Sequence, residues 1–289
     1  MISKEGKIIK AMSGFYYVLS DDEIITCRAR GNFRNKDIEP LVGDYVTIKI
    51  EEDSLGYIID IKDRKNELLR PKVSNIDYGI ITVSVKEPDF SSKLLDKMII
   101  LNEYSNIKTI IIFTKLDKLN EIEFKNFTNI INYYKKIGYI IFSNKDEDIR
   151  DLKNKIKDKF VSISGQSGSG KSTFINKLSN NKLELKTSEI SKHLGRGKHT
   201  TRHIEFHKID NFYIADTPGF SSLDINFIEK EELKYLFSDF YNIECKFKTC
   251  NHIDEPNCNI KNNLEDDYFK ERYNNYKMFF EEIKEIKRR

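Results

Sequence analysis

Nowhere in the 289 residues does an apolar run approach the roughly 20 residues that a membrane-crossing helix requires. The first residues, Met1-Ile2-Ser3-Lys4-Glu5-Gly6-Lys7, meet charge at once, and no apolar stretch ending in a small-residue cleavage site follows them. These two absences argue against a helical membrane protein and a secreted one; the expectation is a cytoplasmic chain with no membrane partner. An excess of one charge is missing too. Lys and Arg number 49 against 46 Asp and Glu, a net charge of +3, so a nucleic-acid partner would have to be met by local patches. No internal repeat and no Gly/Ser linker is present, which removes solenoids and loosely tethered modules. Cysteine is scarce: there are four, of which Cys245, Cys250 and Cys258 lie close together while Cys27 stands far away. In a reducing compartment that grouping favours a metal over disulfides.

What is there is the balance of a folded globular chain, 33% charged and 39% hydrophobic, longer than one ordinary domain. The expectation is two or three domains that share no single core. Residues 1–70 hold short β-rich runs broken by turn residues, Phe15–Leu19, Glu23–Cys27 and Tyr45–Ile50, which read as a small all-β barrel or sandwich. Beyond Pro71 the pattern changes to buried strands alternating with amphipathic helices: strands at 80–85, 109–113, 139–142 and 160–163, helices at 93–104, 121–136 and 147–158. Such alternation implies a parallel sheet. Two more strands are expected at 204–209 and 212–215. From 228 onward the chain is charged, helical and rich in tyrosine.

The run Gly165-Gln166-Ser167-Gly168-Ser169-Gly170-Lys171-Ser172 fits G-x-x-x-x-G-K-[ST], and it stands between a predicted strand and a predicted helix opening at Lys171-Ser172-Thr173. Glycines let backbone N–H groups turn toward phosphate oxygens, the lysine reaches the β- and γ-phosphates, and the serine hydroxyl suits Mg²⁺. Asp216-Thr217-Pro218-Gly219 follows another strand, where a carboxylate can hold the Mg²⁺ shell and the Gly219 N–H can sense the γ-phosphate. Thr114-Lys115-Leu116-Asp117 follows a third, and the Asp117 carboxylate can accept two hydrogen bonds from guanine N1–H and its 2-amino group, which adenine lacks. The familiar form of this base-reading motif has Asn where this chain has Thr114. Ser143-Asn144, after a fourth strand, occupies the place of a second base-contacting loop.

In an ordinary small GTPase the phosphate loop comes first and the base-reading loops late. Here Asp117 and Ser143 precede Gly165, and Asp216 comes last, which is a circular permutation. With that order, with Asn75-Ile76-Asp77, Glu87-Pro88-Asp89-Phe90 and Leu194–Thr201, and with Cys245-x4-Cys250-x-His252-x5-Cys258, the chain resembles the RsgA/YjeQ family of small-subunit-dependent GTPases over nearly its whole length. The resemblance implies a multidomain α/β plus β protein. An N-terminal OB-fold barrel that binds RNA (1–70), a circularly permuted P-loop GTPase domain (71–222) and a C-terminal helical zinc domain (223–289) are the expected parts. It implies hydrolysis of GTP to GDP stimulated by the small ribosomal subunit and its rRNA, late in maturation of that subunit, by a chain expected to be a monomer.

Three cysteines and His252 make four N/S ligands, the number that tetrahedral zinc favours, leaving no position open for a substrate, so one structural zinc is expected. Free thiols and a core histidine are the alternative in the residues alone. Cys27 reads as a small core hydrophobe. Phe220 stands where many GTPases place a water-orienting glutamine, so hydrolysis must draw on another group. The resemblance implies His199 as the catalytic histidine and Thr201, or its neighbour Thr200, as the Mg²⁺-binding switch residue. His203 and His207 alternate with Ile204 and Phe206 and are expected on the exposed face of a strand. Because the chain leaves the nucleotide domain straight after Phe220, the state of the nucleotide is expected to set the orientation of the zinc domain. For RNA, the candidates are Cys27–Arg34 in the otherwise near-neutral barrel and the basic stretch 182–203. Two other classes fit the motifs: an RNA-binding module with incidental turnover, and a GTP-dependent metal handler.

Overall fold

The β-rich N-terminal runs alternate apolar and polar residues, so each strand has one face to bury, and five of them close on themselves. A computed structural model describes residues 2–30, 39–51, 55–69, 71–180, 204–216 and 223–286. In it β1 (Ile2–Met12), β2 (Phe15–Ser20), β3 (Glu23–Ala29), β4 (Tyr45–Ile50) and β5 (Gly56–Ile61) form a closed barrel in the order β1-β2-β3-β5-β4. Ile8, Val18, Val46, Ile48 and Ile58 fill it. Cys27 is fully buried there, and burial pushes its thiol up to about 11, the behaviour of the core hydrophobe expected of it. A short hairpin, β6 (Glu67–Leu69) and β7 (Lys72–Ser74), leads out of the barrel.

The second sheet has six strands in the order β10-β9-β8-β11-β13-β12. These are β8 (Tyr78–Ser84), β9 (Lys108–Thr114), β10 (Ile140–Ser143), β11 (Phe160–Gly165), β12 (Phe206–Ile209) and β13 (Phe212–Asp216). All pair in parallel except β12, which returns antiparallel from β13 at the edge. The interior strands are near-continuous isoleucine, valine and phenylalanine because both faces are covered. On one face lie α3 (Asp146–Lys155) and α4 (Lys171–Leu178), over Ile80, Ile110, Ile112 and Ile163. On the other lie α1 (Ser92–Tyr104) and α2 (Glu121–Lys136), the latter opened by a capping box between Asn120 and Glu123.

The C-terminal region contains two 3₁₀ turns (Leu233–Leu236, Ser238–Phe240), the short α5 (Asn259–Asn262) and the long α6 (Asp267–Ile286). Here the expectation of separate cores is corrected. Phe237, Tyr276, Phe279 and Ile283 belong to one hydrophobic cluster with Leu95, Met98 and Ile99 of α1 and with Phe113 of the sheet. The physical reason is that α1 carries a buried run, Leu95–Asp96 and Met98–Asn102, too wide for one face of a helix to cover against the sheet, and α6 supplies the second cover. Among the described residues no helix is long and apolar enough to cross a membrane.

Candidate functional site

Parallel strands leave their carboxyl ends at one edge of a sheet, and ligands of such sheets sit there. Each described nucleotide-motif residue falls at that edge. β11 ends at Gly165, β9 at Thr114, β10 at Ser143 and β13 at Asp216. The register aligns them: Gly165 lies beside Thr82, Thr114 beside Ser84, Phe113 beside Ser143, and Ile163 beside Asp216.

Between β11 and α4 the chain turns through Gln166, Ser167, Gly168, Ser169 and Gly170. Gly168 and Gly170 adopt φ of +78° and +80°, a conformation that favours glycine. Gly165 is required for a different reason. A Cβ there would stand 2.1 Å from the Thr82 hydroxyl oxygen and 2.7 Å from that of Ser169. These two hydroxyls are themselves 2.9 Å apart beneath the loop, Ser169 being fully buried. The loop is therefore held from below by side-chain hydroxyls, leaving the N-terminus of α4, with Lys171, Ser172 and Thr173, as the upper wall where backbone N–H groups favour phosphate.

The base-reading segment is tied to this loop directly. The Thr114 hydroxyl donates to the Ser169 carbonyl at 2.6 Å, and Lys115 Nζ donates to the Gly168 carbonyl at 2.7 Å and to the Glu87 carbonyl. Threonine at the first motif position thus spans from β9 to the phosphate loop through its hydroxyl. Lys115 has φ of +60° and turns the chain into the 3₁₀ turn Leu116–Lys118, which buries Leu116 and exposes Asp117. The Ser143 loop is braced as well: the Ser143 N–H donates to Asp148 at 2.6 Å, and Lys177 of α4 donates to the Asn144 carbonyl at 3.0 Å. Thr82, Asp148 and Lys177 escaped the motif reading. Thr82 is marked only by its register beside Gly165, and Asp148 and Lys177 only by their hydrogen bonds to the Ser143–Asn144 loop. His199, Thr200, Thr201 and Gly219, with the basic stretch 182–203, lie outside the described residues, as do Arg34 and most of its neighbours in the barrel's basic run; His207 is exposed on β12.

The second site is a side-chain cluster under α6. Cys245, Cys250, His252 and Cys258 place their ligand atoms within 4.8 Å of one another. His252 Nδ1 lies 3.5, 3.4 and 3.4 Å from the sulfurs of Cys245, Cys250 and Cys258, and the Cys245 and Cys258 sulfurs are 3.8 Å apart. Metal–sulfur bonds of about 2.3 Å and metal–nitrogen bonds of about 2.0–2.1 Å at tetrahedral angles require edges of about 3.8 Å between sulfurs and about 3.6 Å from sulfur to nitrogen. The four residues are positioned to bind a metal ion. Around them Tyr273 donates to the His252 carbonyl at 2.7 Å, Tyr276 to the Asn251 carbonyl at 2.6 Å and Lys234 to the Cys250 carbonyl at 3.0 Å. The two tyrosine bonds fix the ligand loop to α6, and the lysine bond ties it to the 3₁₀ turn Leu233–Leu236.

The sequence patterns of known families agree with this geometry. The RsgA GTPase pattern matches residues 61–226 and the RsgA N-terminal domain pattern residues 5–58. The chain belongs to the RsgA GTPase family. It is 47% identical over 291 residues to the small ribosomal subunit biogenesis GTPase RsgA of Bacillus cereus and 46% identical over 298 residues to that of Bacillus subtilis, covering 99% of both chains in each case. The crystal structure of YjeQ from Thermotoga maritima superposes with a TM-score of 0.84 at 33% identity, covering 98% of this chain and 99% of the other. That of YloQ, a circularly permuted GTPase, gives 0.82 at 37%, covering 98% and 96%. The permuted order and the N-terminal barrel of this chain are those of an RsgA fold, and like its family it is a GTP-hydrolysing enzyme.

Proposed function

We propose that this RsgA-family chain hydrolyses GTP to GDP when stimulated by the small ribosomal subunit, in the cytoplasm and late in that subunit's maturation. The observation that carries the reading is the fusion of phosphate and base loops at one sheet edge through the Thr114 hydroxyl and the Ser169 carbonyl. In the roles we assign, Gly165 to Thr173 cradle the phosphates with Lys171 on the β- and γ-oxygens, while Thr114, Lys115, Asp117 and Ser143 shape the guanine pocket. Ser172, a threonine at 201 or 200, and Asp216 through its shell would hold magnesium, which supplies charge neutralisation at the phosphates. Gly219 senses the γ-phosphate, and His199 serves where Phe220 cannot. We assign the Cys₃His site to one structural zinc, since three thiolates and an imidazole are the soft and borderline donors zinc prefers and the four leave no open position. The working parts are a barrel at 1–70 contacting rRNA, the nucleotide domain at 71–222 and the zinc domain at 223–289, acting as a monomer.

GTP turnover with and without purified small subunits tests this. Wild type is expected to be stimulated, Lys171→Ala to lose turnover in both conditions, and His199→Ala to keep subunit binding while losing the stimulated rate. Wild-type turnover that ignores small subunits would overturn the proposal.

A further inference from the structure

The edge strand of the nucleotide sheet is gripped by the barrel at the level of the nucleotide site. β12 pairs with β13 in the register Phe206 to Ala215 and Ile209 to Phe212, so Glu205, one residue earlier, lies at the level of Asp216. There the chain meets the barrel. Lys10 of β1 and Glu205 form an antiparallel bridge between the two domains. Lys10 Nζ stands 2.7 Å from the Glu205 carboxylate, with side chains only 29% and 33% exposed. Just inward, Phe206 is 2% exposed within the barrel's own hydrophobic cluster beside Ile8 and Ile9, and Ile204 packs against the same cluster. At the opposite end of the sheet, Lys7 of β1 sits 3.5 Å above the Phe160 ring. Lys7 thus reaches over the interior strand β11, 5.8 Å from the Phe206 ring as well, while Lys10 meets the edge strand itself.

We propose that Lys10 and Glu205 are positioning residues for GTP hydrolysis, the joint through which the barrel fixes the edge strand beside Asp216. The inference rests on the assignment of Asp216 to the nucleotide site made above. The β12–β13 hairpin runs between the stretch that carries His199 and the Asp216–Gly219 motif, and its free edge is what the barrel holds. Burial of Phe206 sets the register, because a slip of one residue would turn its ring out of the cluster. The ion pair one residue further out ties the end of the strand that lies beside Asp216 to β1. A load on the barrel, such as bound RNA, is thereby delivered to the nucleotide edge.

The test is a charge swap in the full-length protein. Lys10→Glu and Glu205→Lys should each lower kcat for GTP about tenfold with KM changed less than about twofold, and the double swap should recover at least half of the lost rate. Fluorescent GDP binding and small-subunit co-sedimentation are measured on the same proteins, and both should match wild type. Turnover is read with subunits and without them. A wild type indifferent to subunits overturns the functional reading, and the swap is then read in basal kcat. Single variants that turn over like wild type, or a double swap no better than either single, overturn the joint.

Discussion

At the residue scale, the nucleotide loops were legible because their chemistry allows few substitutes. Glycine is favoured by the φ of residues 168 and 170 and required by the contact at 165, and only a fixed spacing puts Lys171 at the start of α4. Thr114 shows where letters mislead. It departs from the familiar asparagine, yet its hydroxyl reaches the phosphate-loop carbonyl directly. Lys7 was illegible: in sequence it is one lysine among many. In the fold it is 3% exposed, donates to the Asn75 carbonyl at 3.0 Å and faces the rings of Phe160 and Tyr45. Burial lowers its pKa from 10.5 to about 7, against the pull of Asp77 and Asp44. A folded-state pKa below the unfolded one means that the native state binds fewer protons, so the stabilising contribution is complete above pH 10.5 and is lost as pH falls toward 7. Wild type should therefore gain thermal stability relative to Lys7→Met between pH 7 and pH 10, by several degrees. A difference in Tm that stays flat over that range would refute this account.

At the element scale, the helices and strands followed from periodicity, and their ends moved by up to three residues. Helix α2 fills the expected 121–136, whereas α3, expected at 147–158, spans Asp146–Lys155. What periodicity could not show is how α1 is joined to α6. Asp96 of α1 and Asp239 of the second 3₁₀ turn share the guanidinium of Arg272, with Arg272 Nε 2.8 Å from Asp239 and side-chain exposures of 1 to 3% for all three. Asn275 and Tyr134 complete the hydrogen bonding of Asp96 at 2.7 and 2.9 Å. Burial still pushes the Asp96 carboxyl up to about 6, opposed by the guanidinium. Residues 176 positions apart leave no mark on a pattern of local spacing. Arg272→Met keeps the apolar stem but leaves two buried carboxylates without a cation, which costs roughly 3–5 kcal/mol. Urea unfolding of the two proteins measures it. A loss below about 1 kcal/mol, the scale of an exposed pair, would mean that the triad is not the cross-brace its burial indicates.

At the scale of the whole molecule, permutation attaches the C-terminal region to the chain just beyond Asp216, and from sequence that suggested a zinc domain swung by the nucleotide. The packing opposes it. Swinging α6 off α1 would open the hydrophobic cluster that Phe279 and Ile283 of α6 share with α1. At about 1.5–3 kcal/mol for each large side chain uncovered, that is several kcal/mol. Parting Asp96 from Arg272, and Lys97 from Glu282 at 2.6 Å, adds to it. A nucleotide that prefers one state 10⁴-fold supplies about 5.5 kcal/mol, too little to drive the separation. The C-terminal region should therefore travel with α1 as one body, and a response to the nucleotide is expected instead on the barrel side, where β12 meets β1. Distances between spin labels placed at exposed Met278 of α6 and exposed Lys125 of α2 should agree within about 2 Å in the GDP and GTP-analogue forms. A change of 5 Å or more would restore the swinging domain and require that the shared core open with each turnover.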